Sequence, residues 1–201
     1  MMKSLKRASL IGQGMVVLML SLMAALNVSA AEKANEDVST EPGQLPITDE
    51  TFTCIRDMTK VRGFYVGNLK GDLENTLAVA NSETGGIYPP GSVVQLVPGE
   101  VMVKHEVGYS PATKGWEFFE LDVSEEGSHI RKRGFADVVN RFGGNCFACH
   151  IQAKPQWDMV CEDTHGCDPI PITKDVIDLI QRTDPRCSDN EELTAGESYE
   201  L

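Results

Sequence analysis

Cys146-Phe147-Ala148-Cys149-His150 is the segment whose residue types and spacing carry the most chemistry. Two thiols three residues apart, with a histidine directly after the second, form the C-x-x-C-H pattern that attaches a c-type haem. The spacing sets both sulfurs along one edge of the macrocycle, where they become thioethers to the porphyrin vinyl groups, and the next residue projects its imidazole beneath the ring centre. Two other chemistries use paired cysteines. A thioredoxin-like redox site belongs in a βαβ setting, and a structural zinc site needs a second matched pair. The chain offers neither, so the motif points to one covalent haem c, with Cys146 and Cys149 as attachment points and His150 on the iron.

The face of the iron opposite His150 decides the reactivity, because a strong second ligand favours electron transfer and an open position admits small molecules. Glu100 to Val107 reads as a strand. Val101, Val103, His105 and Val107 share one face, and Met102, Lys104 and Glu106 share the other. If the first face meets the haem, His105 is the candidate ligand; if the second, Met102 and Lys104 lie over the ring. Period alone favours a third arrangement, with the valines as core and Lys104 and Glu106 in solvent. His129, beside a turn, and His165, between two cysteines, read as surface or structural residues. Met58, Met102 and Met159 read as core. Phe142, Phe147, Trp157 and the Trp116–Leu121 segment supply aromatic lining for a flat apolar cofactor, or ordinary packing.

The elements that must position these groups read as mainly β (α+β): an antiparallel sheet with a few short helices, the C-terminal ones carrying the haem motif. Strand-like runs are Gly63–Leu69, Leu73–Asn81, Val93–Val97, Glu100–Val107, Trp116–Val123 and His129–Arg133, separated by turn-forming residues such as Lys70-Gly71-Asp72 and Pro98-Gly99. Helical patterns fall at Thr51–Val61, at Phe135–Phe142, at the haem motif and at Thr173–Gln181, where Thr173 is a natural N-cap.

Residues 1–30 have a basic start (Lys3, Lys6, Arg7), an apolar run from Met15 to Leu26 and a small-residue site at Val28-Ser29-Ala30. This is the pattern of a cleaved signal peptide, and it predicts a periplasmic protein without a membrane anchor. Residues 31–50 read as an acidic flexible linker, 51–187 as a single haem-binding domain and 188–201 as an acidic tail. The full chain carries 18 basic against 30 acidic residues, a net −12, and cleavage would take this to −15. That balance argues against nucleic acid and anionic lipid as partners. With Cys146 and Cys149 assigned to haem, Cys54, Cys161, Cys167 and Cys187 allow three pairings. An oxidising compartment favours two disulfides, the short Cys161–Cys167 loop being one plausible pair, over a cysteine metal site that includes His165.

The order Val101-Met102-Val103-Lys104, Gly115-Trp116-Glu117-Phe118-Phe119, then Cys146 to His150 with Ala153 and Asp158, resembles a family of small β-sheet mono-haem cytochromes. It comprises the hydroxylamine-oxidising cytochromes P four-sixty and the β-type cytochromes c-prime, and the likeness spans roughly residues 60 to 165. The resemblance implies that the Lys104 face meets the haem, with Trp116 and Phe118 beside it, and that the iron is five-coordinate with His150 as its protein ligand. It also gives Lys104 the position of a lysine bonded to a porphyrin meso carbon in the hydroxylamine-oxidising members. Those members use a longer insertion to set a carboxylate over the iron as proton acceptor. Here Val107 to Gly115 contain no acid, and Glu106 is the stand-in.

Two functions follow from this reading. One is an exported haem protein that binds or oxidises hydroxylamine or nitric oxide at an open distal site, with Lys104 and Glu106 as its catalytic candidates and a homodimer allowed for. The other is a six-coordinate electron carrier, ligated by His105 or a methionine, that docks on a basic redox partner protein through a small, salt-sensitive interface.

Overall fold

The computed structural model describes residues 41–188. The signal peptide read from residues 1–30, the first part of the linker and nearly all of the acidic tail lie outside the described residues. The described residues fall in one compact unit.

Runs of valine and aromatic residues build the expected sheet. Strands β1 (Thr59–Val61), β2 (Phe64–Asn68), β3 (Ser92–Val97), β4 (Glu100–Lys104), β5 (Trp116–Ser124) and β6 (Gly127–Gly134) pair antiparallel in strictly sequential order. Among the described residues, three α-helices accompany them: α1 (Leu73–Ala80), α2 (Cys146–His150) and α3 (Lys174–Arg182). The fold is therefore mainly β, with a six-stranded antiparallel sheet and few short helices.

Both faces of the central strands are buried, so the choice between faces on β4 becomes a choice between two cores. Glu100, Met102 and Lys104 pair with Glu120, Phe118 and Trp116 on one face. Val101 and Val103 pair with Phe119 and Glu117 on the other. The first face belongs to a core with Trp116, Phe118 and Met159, against which Cys146 and Phe147 pack. The second packs with Phe52, Ile47 and Leu121. Trp116, Phe118 and Phe119 have 0–2% exposure, and burial of each such side chain contributes about 1.5–3 kcal/mol.

Four segments differ from the sequence reading. Leu73–Ala80 is a helix rather than a strand; Leu73, Leu77 and Ala80 are spaced four and three apart, and Leu73, Glu74, Leu77, Ala78 and Ala80 are good helix formers that outnumber the β-branched Thr76 and Val79. Thr51–Val61 is not one helix: it has a 3-10 turn at Ile55–Asp57 followed by β1. Tertiary ties decide this, since Cys54 is disulfide-bonded to Cys187 and the Ile55 amide donates to Asp184. Phe135–Phe142 forms no helix. The Asn140 side chain accepts from the amides of Phe142 and Gly144, a local bond that competes with helix and favours a turn.

The fourth is the stretch assigned to a flexible linker, whose last residues are packed. Ile47 is buried, Leu45 packs against the second core, and the Ile47 carbonyl accepts from Arg133. Gly43 adopts φ +79° and its carbonyl accepts from the Glu106 amide. A Cβ there would meet the Tyr109 nitrogen at 2.9 Å, so glycine is what lets this segment lie against the sheet. By contrast, Thr173 caps α3 as read, its hydroxyl accepting from the Val176 amide.

Candidate functional site

Helix α2 begins where Asn145 caps it: the side-chain oxygen accepts from the Ala148 amide at 2.8 Å and the side-chain nitrogen donates to the Ala136 carbonyl. The Cys146 amide donates to Val138, fixing the entry of the chain. Cys54–Cys187 and Cys161–Cys167 are disulfides, the second being the pair named from sequence, and Cys146 and Cys149 are free thiols. Burial, followed by the nearby Glu100 and Glu120 carboxylates, pushes the Cys146 thiol up to about 12.

One turn later, a ring nitrogen of His150, Nδ1, lies 2.7 Å from the Met159 carbonyl. A carbonyl only accepts, so Nδ1 carries the proton and Nε2 holds the lone pair, the tautomer required for ligation through Nε2. Burial lowers the His150 pKa, and the Met159 hydrogen bond opposes that shift. The imidazole also packs on Phe118, with ring centroids 5.1 Å apart. Phe147 packs on Phe118 and on Phe135.

Asp158, adjacent to Met159, gathers the rest of the site. Its carboxylate accepts from the Lys104 ammonium at 2.8 Å and from the Tyr88 amide at 3.0 Å, and its carbonyl accepts from the Trp116 indole at 2.7 Å. Lys104 and Asp158 are 5% and 2% exposed, so this is a buried ion pair and not a solvated contact. The Lys104 ammonium also lies 5.1 Å from the centre of the Trp116 ring. Burial lowers the Lys104 pKa, and the bond to Asp158 works against it. Lys104, Trp116, Phe118, Cys146 and His150 thus lie around one core.

Other candidates are placed elsewhere. The His105 side chain is buried on the opposite face: Nδ1 accepts from the Leu45 amide at 2.8 Å, so Nε2 is the nitrogen that donates to Glu117, at 2.7 Å. With both nitrogens engaged, His105 would have to break two bonds to reach a metal. Glu106 is partly exposed and ion-paired with Lys70, away from the Lys104–Asp158 pair. His129 is exposed beside Asp49, while His165 stacks on Trp157 at 3.8 Å and donates to the Val160 carbonyl. Met102 and Met159 are core residues of the Lys104 face, and Phe142 is exposed.

Two acids on the same face escaped the sequence reading. Glu100 and Glu120 are register partners on β4 and β5. Glu120, fully buried, is ion-paired with Arg131 and Arg141. Burial, then repulsion from Glu120, raises the Glu100 carboxyl to about 7, opposed by Arg141. The signal was parity, since Glu100 alternates in phase with Met102 and Lys104. A carboxyl whose folded pKa is raised contributes stability that is full below its unfolded value and is lost as pH rises through about 7. From this group, stability should fall by on the order of 2 kcal/mol between mildly acidic and mildly alkaline pH. Denaturant unfolding across that range should show a flatter slope in Glu100→Gln; an identical slope would assign the dependence elsewhere.

Asp158 is the group whose role the sequence reading did not give: its neighbours Trp157, Met159 and Val160 are apolar, but its burial and its partner Lys104 are set by the fold. Among the described residues, no helix is long and apolar enough to cross a membrane. Compared with known proteins, the chain matches no family model, no curated protein and no solved structure.

Proposed function

We propose that this chain is an exported mono-haem c-type cytochrome whose iron is held by His150 alone and binds or oxidises a small nitrogen compound, hydroxylamine or nitric oxide. The supporting observation is the donor set on α2. Cys146 and Cys149 stay free while the other four cysteines pair, and the His150 tautomer keeps Nε2 available. These residues fit a covalent haem: two thiols and an imidazole on one short helix, against the aromatic rings of Phe118, Phe147 and Phe135. When bound, haem supplies an iron that takes a nitrogen ligand and exchanges electrons.

The chain's own residues divide the remaining work. Cys146 and Cys149 tether the group, His150 is oriented by the Met159 carbonyl, and Met102, Trp116 and Phe118 keep the sheet face apolar and dry. Lys104 supplies the only positive charge on the β4 segment that faces this core, neutralised by Asp158. In this reading Glu106 is not the proton acceptor, because it is held by Lys70 outside the site. The engagement of both His105 nitrogens weighs against the six-coordinate electron carrier ligated by that residue.

Spectra of the matured protein, oxidised and reduced, with an intact mass, test the reading. One attached haem, a high-spin spectrum and a shift on adding nitric oxide or hydroxylamine are the expected results, and turnover of hydroxylamine would make the protein an oxidoreductase. A sharp low-spin spectrum indifferent to both ligands would make it an electron carrier. A chain without attached haem would overturn both.

A further inference from the structure

We propose that Lys104 and Asp158 are positioning residues for the His150 imidazole, their buried ion pair fixing the backbone that presents the Met159 carbonyl to Nδ1–H. The inference rests on the haem reading above. Asp158 and Met159 are consecutive residues in the left-handed region, with φ of +47° and +68°. Neither is glycine, and side chains resist this conformation, so it persists only where the surroundings over-determine it. Here three bonds converge on Asp158, from Lys104 and the Tyr88 amide to the carboxylate and from Trp116 to the carbonyl. The next carbonyl along the chain is the one that His150 uses. Release of the ion pair lets the two residues relax toward ordinary φ, and the carbonyl turns away from the imidazole.

The consequence is electronic. An Nδ1–H donated to a well-aimed carbonyl makes the imidazole a stronger electron donor through Nε2, which strengthens the axial bond and favours ferric iron. Lys104 therefore acts on the proximal side, through Asp158, and its amine is committed to the carboxylate rather than directed at a porphyrin carbon.

Resonance Raman of the ferrous holoprotein and a redox titration test this. In Lys104→Met and Asp158→Asn the iron–histidine stretching band should move to lower frequency and the midpoint potential should rise. Lys104→Arg, which keeps the charge pair, should return both toward wild type. Trp116→Phe removes the indole donor, at the cost of some core packing, but keeps the charge pair, and should give a smaller shift of the same sign; it carries the test if the charge variants do not accumulate. Variants with attached haem but unmoved band and potential would overturn the positioning role. Wild-type protein lacking haem would instead show that the haem reading itself had failed, before any variant was compared.

Discussion

Cys146→Ser and Cys149→Ser combined are expected to abolish covalent haem attachment, leaving an intact mass equal to that of the bare polypeptide. Thioether formation consumes one thiol at each position, and a serine hydroxyl does not replace it. The other four cysteines provide the control, because they are already paired with one another. Removing Cys161 and Cys167 together should leave the haem mass in place. His150→Ala should keep both thioethers yet lose the axial ligand, so the haem increment in its mass should be unchanged while its spectrum alters. It should also lose stability, by about 1–3 kcal/mol, because the Met159 carbonyl is left without its donor. Haem retained on the double serine variant would show that another residue holds it.

The second large effect concerns the Cys54–Cys187 bridge. Its two cysteines are 133 residues apart, against 6 for Cys161–Cys167. In the chain-entropy account the stabilisation grows with the logarithm of the closed loop, which gives about 5 kcal/mol for the long bridge and about 2 kcal/mol for the short one. The surroundings add to the difference. Cys187 is buried, and Asp184 beside it accepts from the Ile55 amide and pairs with Arg186, which reaches the Ser128 hydroxyl. The double substitution Cys54→Ala and Cys187→Ala should therefore lower the unfolding free energy by about 4–5 kcal/mol, measured by denaturant titration. Cys161→Ala with Cys167→Ala should cost less than half as much. Equal losses would mean that native packing, rather than restriction of the unfolded chain, sets the contribution of the long bridge.

The strands from Val93 onward were legible because branched and aromatic residues alternate between clear turn signals. The donor set on α2 was legible because its chemistry is contiguous in sequence. What stayed hidden depended on partners far along the chain. Leu73–Ala80 carries an apolar spacing that a short run leaves ambiguous between strand and helix. The first-face and second-face alternatives on β4 could not be separated by period because both faces are buried, one against α2 and the other against Ile47 and Phe52. Lys104 looked like a surface lysine until its partner, 54 residues away, was in place. Glu106, next but one to it, goes the other way because the strand ends at Lys104 and the backbone turns to bond Gly43.

The long bridge also constrains the order of events as the chain matures. A polypeptide that emerges amino end first presents Cys54 before any other cysteine, while its native partner, Cys187, emerges last. Pairing in order of appearance would join Cys54 to Cys146, and would strand a motif that, on the proposed reading, needs two reduced thiols. If the motif takes haem as proposed, maturation must either cap Cys146 and Cys149 early or reshuffle a wrong bridge later, and thiol–disulfide exchange makes the second route slow. On the proposed haem reading, the covalent tether on α2 is then more than a grip on a cofactor: it would take two competing thiols out of circulation, so that Cys54 and Cys187 can find each other.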